Sequence, residues 1–256
     1  MTMICFTSPK GGVGKTTLAA NIAGELSRAG FPVVALDLDP QNTLRLHFGV
    51  PLERDAGFSR LIAQQPNWRD YVVETPSGVS LLPYGAAGMR ETVDLGAAIA
   101  SHPEILLRAL DPLLMTPGIC LVVDTPPGPS PMLAALLPRI NLMIIVLTTD
   151  PSSASVIPTL EDGRIASEQE QVPPDAIRFI LNQFDPRTRL GSVIGDATSK
   201  RLGDRLLGLV YRDEHVVEAI AAQKLLSDYA PGSKACQDIS AIGQTLSTYL
   251  RAVMAI

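Results

Sequence analysis

The sequence predicts an α/β fold: a doubly wound, mostly parallel sheet with helices on both faces. Three observations point there. Short β-branched runs alternate with longer amphipathic segments along the chain. Several of the short runs are apolar at nearly every position, as strands buried on both faces must be. The first such run leads directly into a glycine-rich loop and then a helical segment.

Taken in order, the first strand is Met3–Thr7, followed by the loop and a helix over Lys15–Ala29. The second strand, Pro32–Leu38, ends in carboxylates, and a third run is Val79–Pro83. A helix over Pro103–Leu114 precedes the apolar strand Gly118–Asp124, and Leu142–Thr148 follows as the next continuous apolar run. A helix over Ser155–Glu168 leads to strands at Ile177–Asn182 and Leu207–Tyr211. Ala235–Val253 closes the fold as a helix. Most of the 20 glycines and 21 prolines fall between these elements, so they read as turns and not as a linker. With no internal repeat and no composition boundary, residues 1–256 read as a single domain.

Bulk numbers narrow the class. Hydrophobic residues make up 46% and charged residues 18%, as in a chain that buries a core. A net charge of −5 argues against a dedicated nucleic-acid binder. Three cysteines (Cys5, Cys120, Cys236) form no CxxC pair, and two of them sit in strand runs, so buried reduced thiols are expected, as in a reducing cytosol. The apolar start is too short for a signal core. The stretch Leu133–Leu147 is broken by Pro138, Arg139 and Asn141 and cannot span a bilayer. The three histidines have no metal-ligand spacing.

The chemistry concentrates in Lys10-Gly11-Gly12-Val13-Gly14-Lys15-Thr16-Thr17. Glycines let backbone amides approach phosphate oxygens, and the helix start adds favourable potential. Lys15 is placed to reach the β- and γ-phosphates of ATP, Thr16 to bind Mg2+ and Thr17 to meet the α-phosphate region. The common phosphate-loop pattern needs a glycine five residues before Gly14; this chain has Pro9 there, with Lys10 next. Only five lysines occur against sixteen arginines, yet two of the five lie in this loop, which makes an ordinary flexible glycine turn a poor account of it. Asp37 and Asp39 end the second strand, on the side where ligands of open parallel sheets sit. There an acid can orient the attacking water and its neighbour steady the magnesium shell; a solvated acid pair is the ordinary alternative. Asp124, ending a buried strand, is a magnesium-water ligand of the Walker B kind, and Gly128 lets the following loop move with the γ-phosphate.

KGGVGKTT at Lys10–Thr17, DLDPQ at Asp37–Gln41 and VVDTPPG at Val122–Gly128 resemble, in order and at ordinary spacing, the deviant Walker A ATPases, the group of ParA and MinD. Asn42–Phe48, Asn67–Asp70, Leu81–Gly85 and Tyr211–Glu214 are more similar to BcsQ, the branch associated with bacterial cellulose synthesis. The resemblance implies an ATP-dependent homodimer in which Lys10, the signature lysine, reaches the partner's phosphates in the manner of an arginine finger. It further implies that Asp39 is the switch acid, that Asp124 is the Walker B acid, and that Asn182 reads the adenine edge. Where much of the wider group has Ile-Pro, this chain has Val210-Tyr211, and Arg212 stands in for that contact. Some BcsQ-like proteins lack loop lysines; this chain keeps Lys10 and Lys15, so hydrolysis is chemically open to it. The family's partner for the signature lysine is often a glutamate after the fifth strand; Asp150 matches only approximately and is left outside the expected site.

The functional expectation is a slow, partner-regulated ATP hydrolase that supports assembly, localisation or activation of a cellulose synthase complex. It would be cytoplasmic, brought to the inner membrane or cell pole by partners, and without insertion of its own. Two alternatives stay open: a partitioning ATPase acting on DNA or another cargo, and an ATP-locked scaffold with negligible turnover. For DNA, Arg187, Arg189, Lys200, Arg201 and Arg205 form the densest basic stretch, diluted by Asp185, Asp196 and Asp204, so a solvated helical face is expected instead. The tail Ser247–Ile256 carries one basic residue and reads as core packing, not as a membrane helix.

Overall fold

At the centre of the computed structural model is one eight-stranded sheet of order β3-β4-β2-β5-β1-β6-β7-β8. The structure describes residues 1–51, 55–64, 67–164 and 172–254. The strands and helices run β1 (Thr2–Thr7), α1 (Lys15–Arg28), β2 (Val33–Asp37), α2 (Phe58–Gln64), β3 (Val73–Glu74) and β4 (Ser80–Leu82) in the first half. Then come α3 (Met89–Ser101), α4 (Glu104–Leu114), β5 (Cys120–Asp124), α5 (Pro131–Leu136), β6 (Leu142–Thr148) and α6 (Pro151–Glu161). The chain ends with β7 (Ile177–Phe184), α7 (Arg189–Leu202), β8 (Leu206–Tyr211), α8 (His215–Ala221), α9 (Leu226–Tyr229) and α10 (Lys234–Met254).

Continuous apolar strands arise because each face of the sheet has its own core. Met3 and Cys5 of β1 join one cluster with Leu121, Val123, Met143 and Ile145. Ile4 and Phe6 join the other with Cys120, Val122, Leu142 and Ile144. Alternate residues of a strand point to opposite faces, so a strand with helices on both sides must be apolar at both parities. All pairings are parallel except the antiparallel β3–β4 pair at one edge. The doubly wound, mostly parallel fold is therefore the observed one.

Chain order reverses around β1: β2 lies beyond β5 on one side, and β6, β7 and β8 extend on the other. That reversal opens a crevice outside the carboxyl ends of β1 and β5, the position where such sheets bind ligands. α10 covers the second edge, β8. Its buried face includes Ala235, Ile239, Ile242, Leu246 and Leu250, so the helix packs into the core as far as Leu250. Beyond it Arg251, Ala252 and Val253 are exposed, which corrects the expectation that the whole tail Ser247–Ile256 is core packing; residues 255–256 lie outside the described residues.

Several boundaries differ from expectation. α6 starts at Pro151 instead of Ser155, because Asp150 accepts a hydrogen bond from Ser153 N (3.1 Å) as N-cap and Pro151 suits the first helical position. It ends at Glu161, and residues 165–168 of the predicted helix lie outside the described residues. β7 continues two residues past Asn182 to Phe184. The elements β3, α2, α3, α5, α8 and α9 had no counterpart in the sequence reading, and α7 appeared there only as a solvated helical face. All three cysteines are buried and free, and burial pushes the Cys5 and Cys120 thiols up to about 12, leaving both unreactive.

Candidate functional site

The glycine loop leaves β1 and enters α1 at Lys15. Gly12 (φ +77°) and Gly14 (φ +84°) take left-handed conformations that side chains resist. At Gly14 there is a second constraint: a Cβ would lie 2.2 Å from Asn182 Nδ2. The end of β7 is strapped to this loop, with Asn182 Nδ2 donating to Val13 O (2.7 Å) and Gln183 Nε2 to Gly12 O (3.0 Å). From the other side, Gly128 N donates to Ser8 O (2.7 Å) and the Thr125 hydroxyl to Phe6 O (2.8 Å). The end of β7 and the segment after β5 thus fix the loop that leaves β1.

Beneath the loop sits a buried cluster. Lys15 Nζ lies 2.5 Å from Asp124 Oδ1, and the Thr16 hydroxyl donates to Asp124 Oδ2 at 2.7 Å. Lys15 is 6% exposed and Asp124 fully buried, so each charge depends on the other. Burial pushes the Asp124 carboxyl up, with the Lys15 ammonium and both hydrogen bonds pulling against it. Asp39 closes the cluster from β2's end and accepts a hydrogen bond from Gln41 N (3.0 Å).

Asp37 does not face the site. Its carboxylate accepts from Asp39 N (2.9 Å) and Leu44 N (3.1 Å), so its oxygens are taken up by its own loop instead of steadying a magnesium shell. Burial, then the charge on Asp124, raises its pKa well above the usual carboxylate range.

The loop separates two cavities. The larger, of about 510 Å³, is lined by Gly11, Gly12, Val13, Gly14, Lys15, Thr16, Thr17, Asp39, Asn182 and Arg212, and its far end by Val216, Val217, Ile220 and Ile239. Asp124 lies under this cavity and reaches it through Lys15 and Thr16. Lys10 is outside it. The Lys10 side chain lines a second cavity of about 440 Å³ with Asp150, Asp185, Gln183 and Arg212. Lys10 Nζ meets Asp150 Oδ2 at 2.6 Å and Ser152 Oγ at 3.0 Å. Asp150 also accepts from the Thr148 hydroxyl and the Ser153 amide. Burial opposes its ionisation, but Lys10, Ser152, Thr148 and Ser153 outweigh burial and hold the carboxyl far below the usual range. Sequence reasoning left Asp150 out; the Asp-Pro-Ser-Ser run signals a helix cap but not the lysine, 140 residues earlier, that the cap holds.

Chemically, the larger cavity pairs an anion-accepting loop with a hard oxygen set, namely the Thr16 hydroxyl and the Asp39 and Asp124 carboxylates. Such a set suits Mg2+ sharing its shell with phosphate oxygens. Among the described residues no three His, Cys, Asp or Glu side chains form a metal cage. The basic stretch is largely neutralised: Arg187 pairs with Asp185, and Arg201 and Arg205 both pair with Glu161. No helix among the described residues is long and apolar enough to cross a membrane.

The sequence profile of the family described as cellulose biosynthesis protein BcsQ matches residues 1–246. The cellulose biosynthesis protein BcsQ of Escherichia coli (strain K12) is 25% identical, over 93% of this chain and 91% of that protein. The chromosome-partitioning ATPase Soj of Thermus thermophilus is 29% identical, over 90% of this chain and 89% of its own. In fold, the septum site-determining protein MinD complexed with Mg-ADP from Pyrococcus horikoshii aligns with a TM-score of 0.78 at 23% identity, covering 99% of this chain and 98% of that one. A ParA family ATPase from Chlorobium tepidum aligns with a TM-score of 0.75 at 20% identity, over 96% and 98%.

Proposed function

The chain belongs to the family of the cellulose biosynthesis protein BcsQ, and from that premise we propose that it is an ATP hydrolase that works as an ATP-dependent homodimer in support of a bacterial cellulose synthase complex. The observation that carries the reading is the buried Lys15–Asp124–Thr16 cluster beneath a glycine loop that holds a second lysine, Lys10, on its outer side. The single sheet supports treating residues 1–256 as one ATPase domain.

In this reading the loop amides and Lys15 bind the β- and γ-phosphates, and Thr17 holds the α-phosphate region. Thr16, Asp39 and Asp124 would hold Mg2+, which supplies charge neutralisation on the phosphates. Phosphate binding draws Lys15 off Asp124, exchanging one buried counter-charge for another. Asp39 orients the attacking water; Asn182 and Arg212 stand toward the base. The protein works in the cytoplasm and is brought to the inner membrane by synthase subunits. The test is paired: mass by light scattering with ATP and with ADP, and co-purification with the synthase subunits encoded in the same genome. A chain that stays monomeric with ATP sinks the dimer, and failure to co-purify sinks the cellulose assignment while leaving the ATPase.

The likeness to Soj favours a second reading, a partitioning ATPase. The ion-paired arginines speak against a DNA face. DNA affinity that falls steeply between low and moderate salt would revive it.

A further inference from the structure

We propose that the first two turns of α10 set the base end of the large cavity, with Asp238 as the main positioning residue and Asp213 as a second strap. The proposal rests on the nucleotide reading above. The cavity has two ends of different chemistry: the glycine loop with Lys15 and Thr16 at one, and an apolar wall with Val216, Val217, Ile220 and Ile239 at the other. Charged phosphates belong at the first, so the second receives the flat, apolar base.

The chain segment that completes this end is Tyr211–Asp213, where β8 stops. Among the described residues β8 is an edge strand, with β7 as its one sheet neighbour. On the side away from β7 the segment is held by α10. Asp238 Oδ2 accepts a hydrogen bond from Tyr211 N at 3.1 Å. Asp213 Oδ2 accepts from Ala235 N at 3.2 Å, so the first turn of α10 also holds the far side of the segment. The other Asp213 oxygen accepts from His215 N (3.1 Å) and meets His215 Nδ1 at 2.7 Å. Lys234 completes the arrangement: its Nζ lies 2.5 Å from Asp238 Oδ1 and 4.8 Å from the centroid of the Tyr211 ring.

Arg212 stands between the two anchored residues, and its own amide donates to Phe184 O at 2.9 Å. Both neighbours of Arg212 are therefore fixed to one helix, and the direction in which Arg212 enters the cavity follows from them. Neither Asp238 nor Lys234 lines the phosphate end. Their effect should fall on the base-dependent part of affinity and spare the phosphate-dependent part.

The test compares Mg-ATP with magnesium tripolyphosphate, which carries the phosphates without ribose or base. Binding of each is measured by calorimetry to the full chain and to Asp238→Ala, Asp238→Asn and Lys234→Ala, and ATP turnover is followed in parallel. Asp238→Ala should weaken ATP about ten-fold, the scale of one lost hydrogen bond to a charged group, and leave tripolyphosphate unchanged. Asp238→Asn keeps an acceptor for Tyr211 N, gives up the ion pair with Lys234 and should fall between. In turnover, KM should rise with kcat held. Equal losses for both ligands, or an unchanged ATP affinity in both Asp238 variants, overturn the proposal. A wild-type chain that binds no ATP overturns the nucleotide reading itself, a result distinct from either.

Discussion

Gly14 answers two demands at once: a left-handed backbone and a surface with no room for a methyl group. Gly12 answers only the first, since nothing lies within 4 Å of where its Cβ would be. Replacing Gly12 by Ala should therefore cost only the left-handed backbone, about 1–2 kcal/mol. Gly14→Ala should cost about 1 kcal/mol more, because Asn182 must release Val13 O to make way; urea unfolding of the two variants gives the comparison, and equal losses would remove the Asn182 strap from the argument. Lys15→Ala poses a different problem, a carboxylate with no exposure and no counter-charge. Breaking such a pair costs about 3–5 kcal/mol. The sign with pH follows from linkage: without Lys15, burial raises Asp124 further, so the folded state binds a proton that the unfolded state has released. Stability is then retained at low pH and lost as pH rises from the ordinary carboxylate value through the raised one. Lys15→Ala should lose more against wild type at pH 8 than at pH 5, read as the difference in unfolding free energy. The positions of Lys15, Asp39 and Asp124 were legible because a glycine loop and strand-end acids are local motifs. Asp37 and Asp150 were not, since what decides them is which amide or ammonium the fold brings to each carboxylate.

At the scale of elements, legibility tracked how each segment is buried. β1, β5 and β6 stand out in the sequence because both their faces are apolar. α7 does not, because the residues it buries are Gly191, Gly195, Thr198 and Leu202; Gly195 lets the Phe184 ring come so close that a Cβ there would meet it at 2.7 Å. Small residues pack a helix closely without writing an apolar stripe. α3 is missed for the opposite reason: Met89 and Val93 are exposed, and Ile99 is its buried residue. β3 is too short to carry a pattern, its existence set by pairing with β4. The contact of α10 with α1 shows the same use of small residues. A Cβ on Gly243 would sit 2.6 Å from Glu25 Cβ, an atom that cannot move without α1. Gly243→Val should therefore push the two helices apart and destabilise the protein by about 1–3 kcal/mol. Because α1 begins with Lys15 and Thr16, nucleotide affinity should fall with it; a wild-type thermal midpoint in Gly243→Val would show that this helix contact is looser than its geometry.

For the whole molecule the decisive feature is that its two loop lysines face different places. Lys15 is enclosed under the large cavity, while Lys10 is 39% exposed in its side chain and turned away from that cavity toward Asp150 and Ser152. A lysine on the outer side of the loop can do little for the phosphates of its own chain and much for those of a second copy, provided it leaves Asp150. The exchange costs little, because a half-exposed ion pair in water is worth about 1 kcal/mol or less, whereas an ammonium set against a triphosphate gains charge-assisted hydrogen bonds. The two lysines should then separate experimentally. Lys10→Ala should keep ATP binding by the single chain, lose dimer-dependent hydrolysis, and show turnover that no longer rises with protein concentration. Asp39→Ala should behave in the opposite sense, forming a dimer with ATP that persists because the attacking water is not oriented. Light scattering and phosphate release on the two variants decide it: wild-type turnover in Lys10→Ala removes that lysine from the mechanism, and an Asp39→Ala chain that stays monomeric with ATP removes the switch role from Asp39.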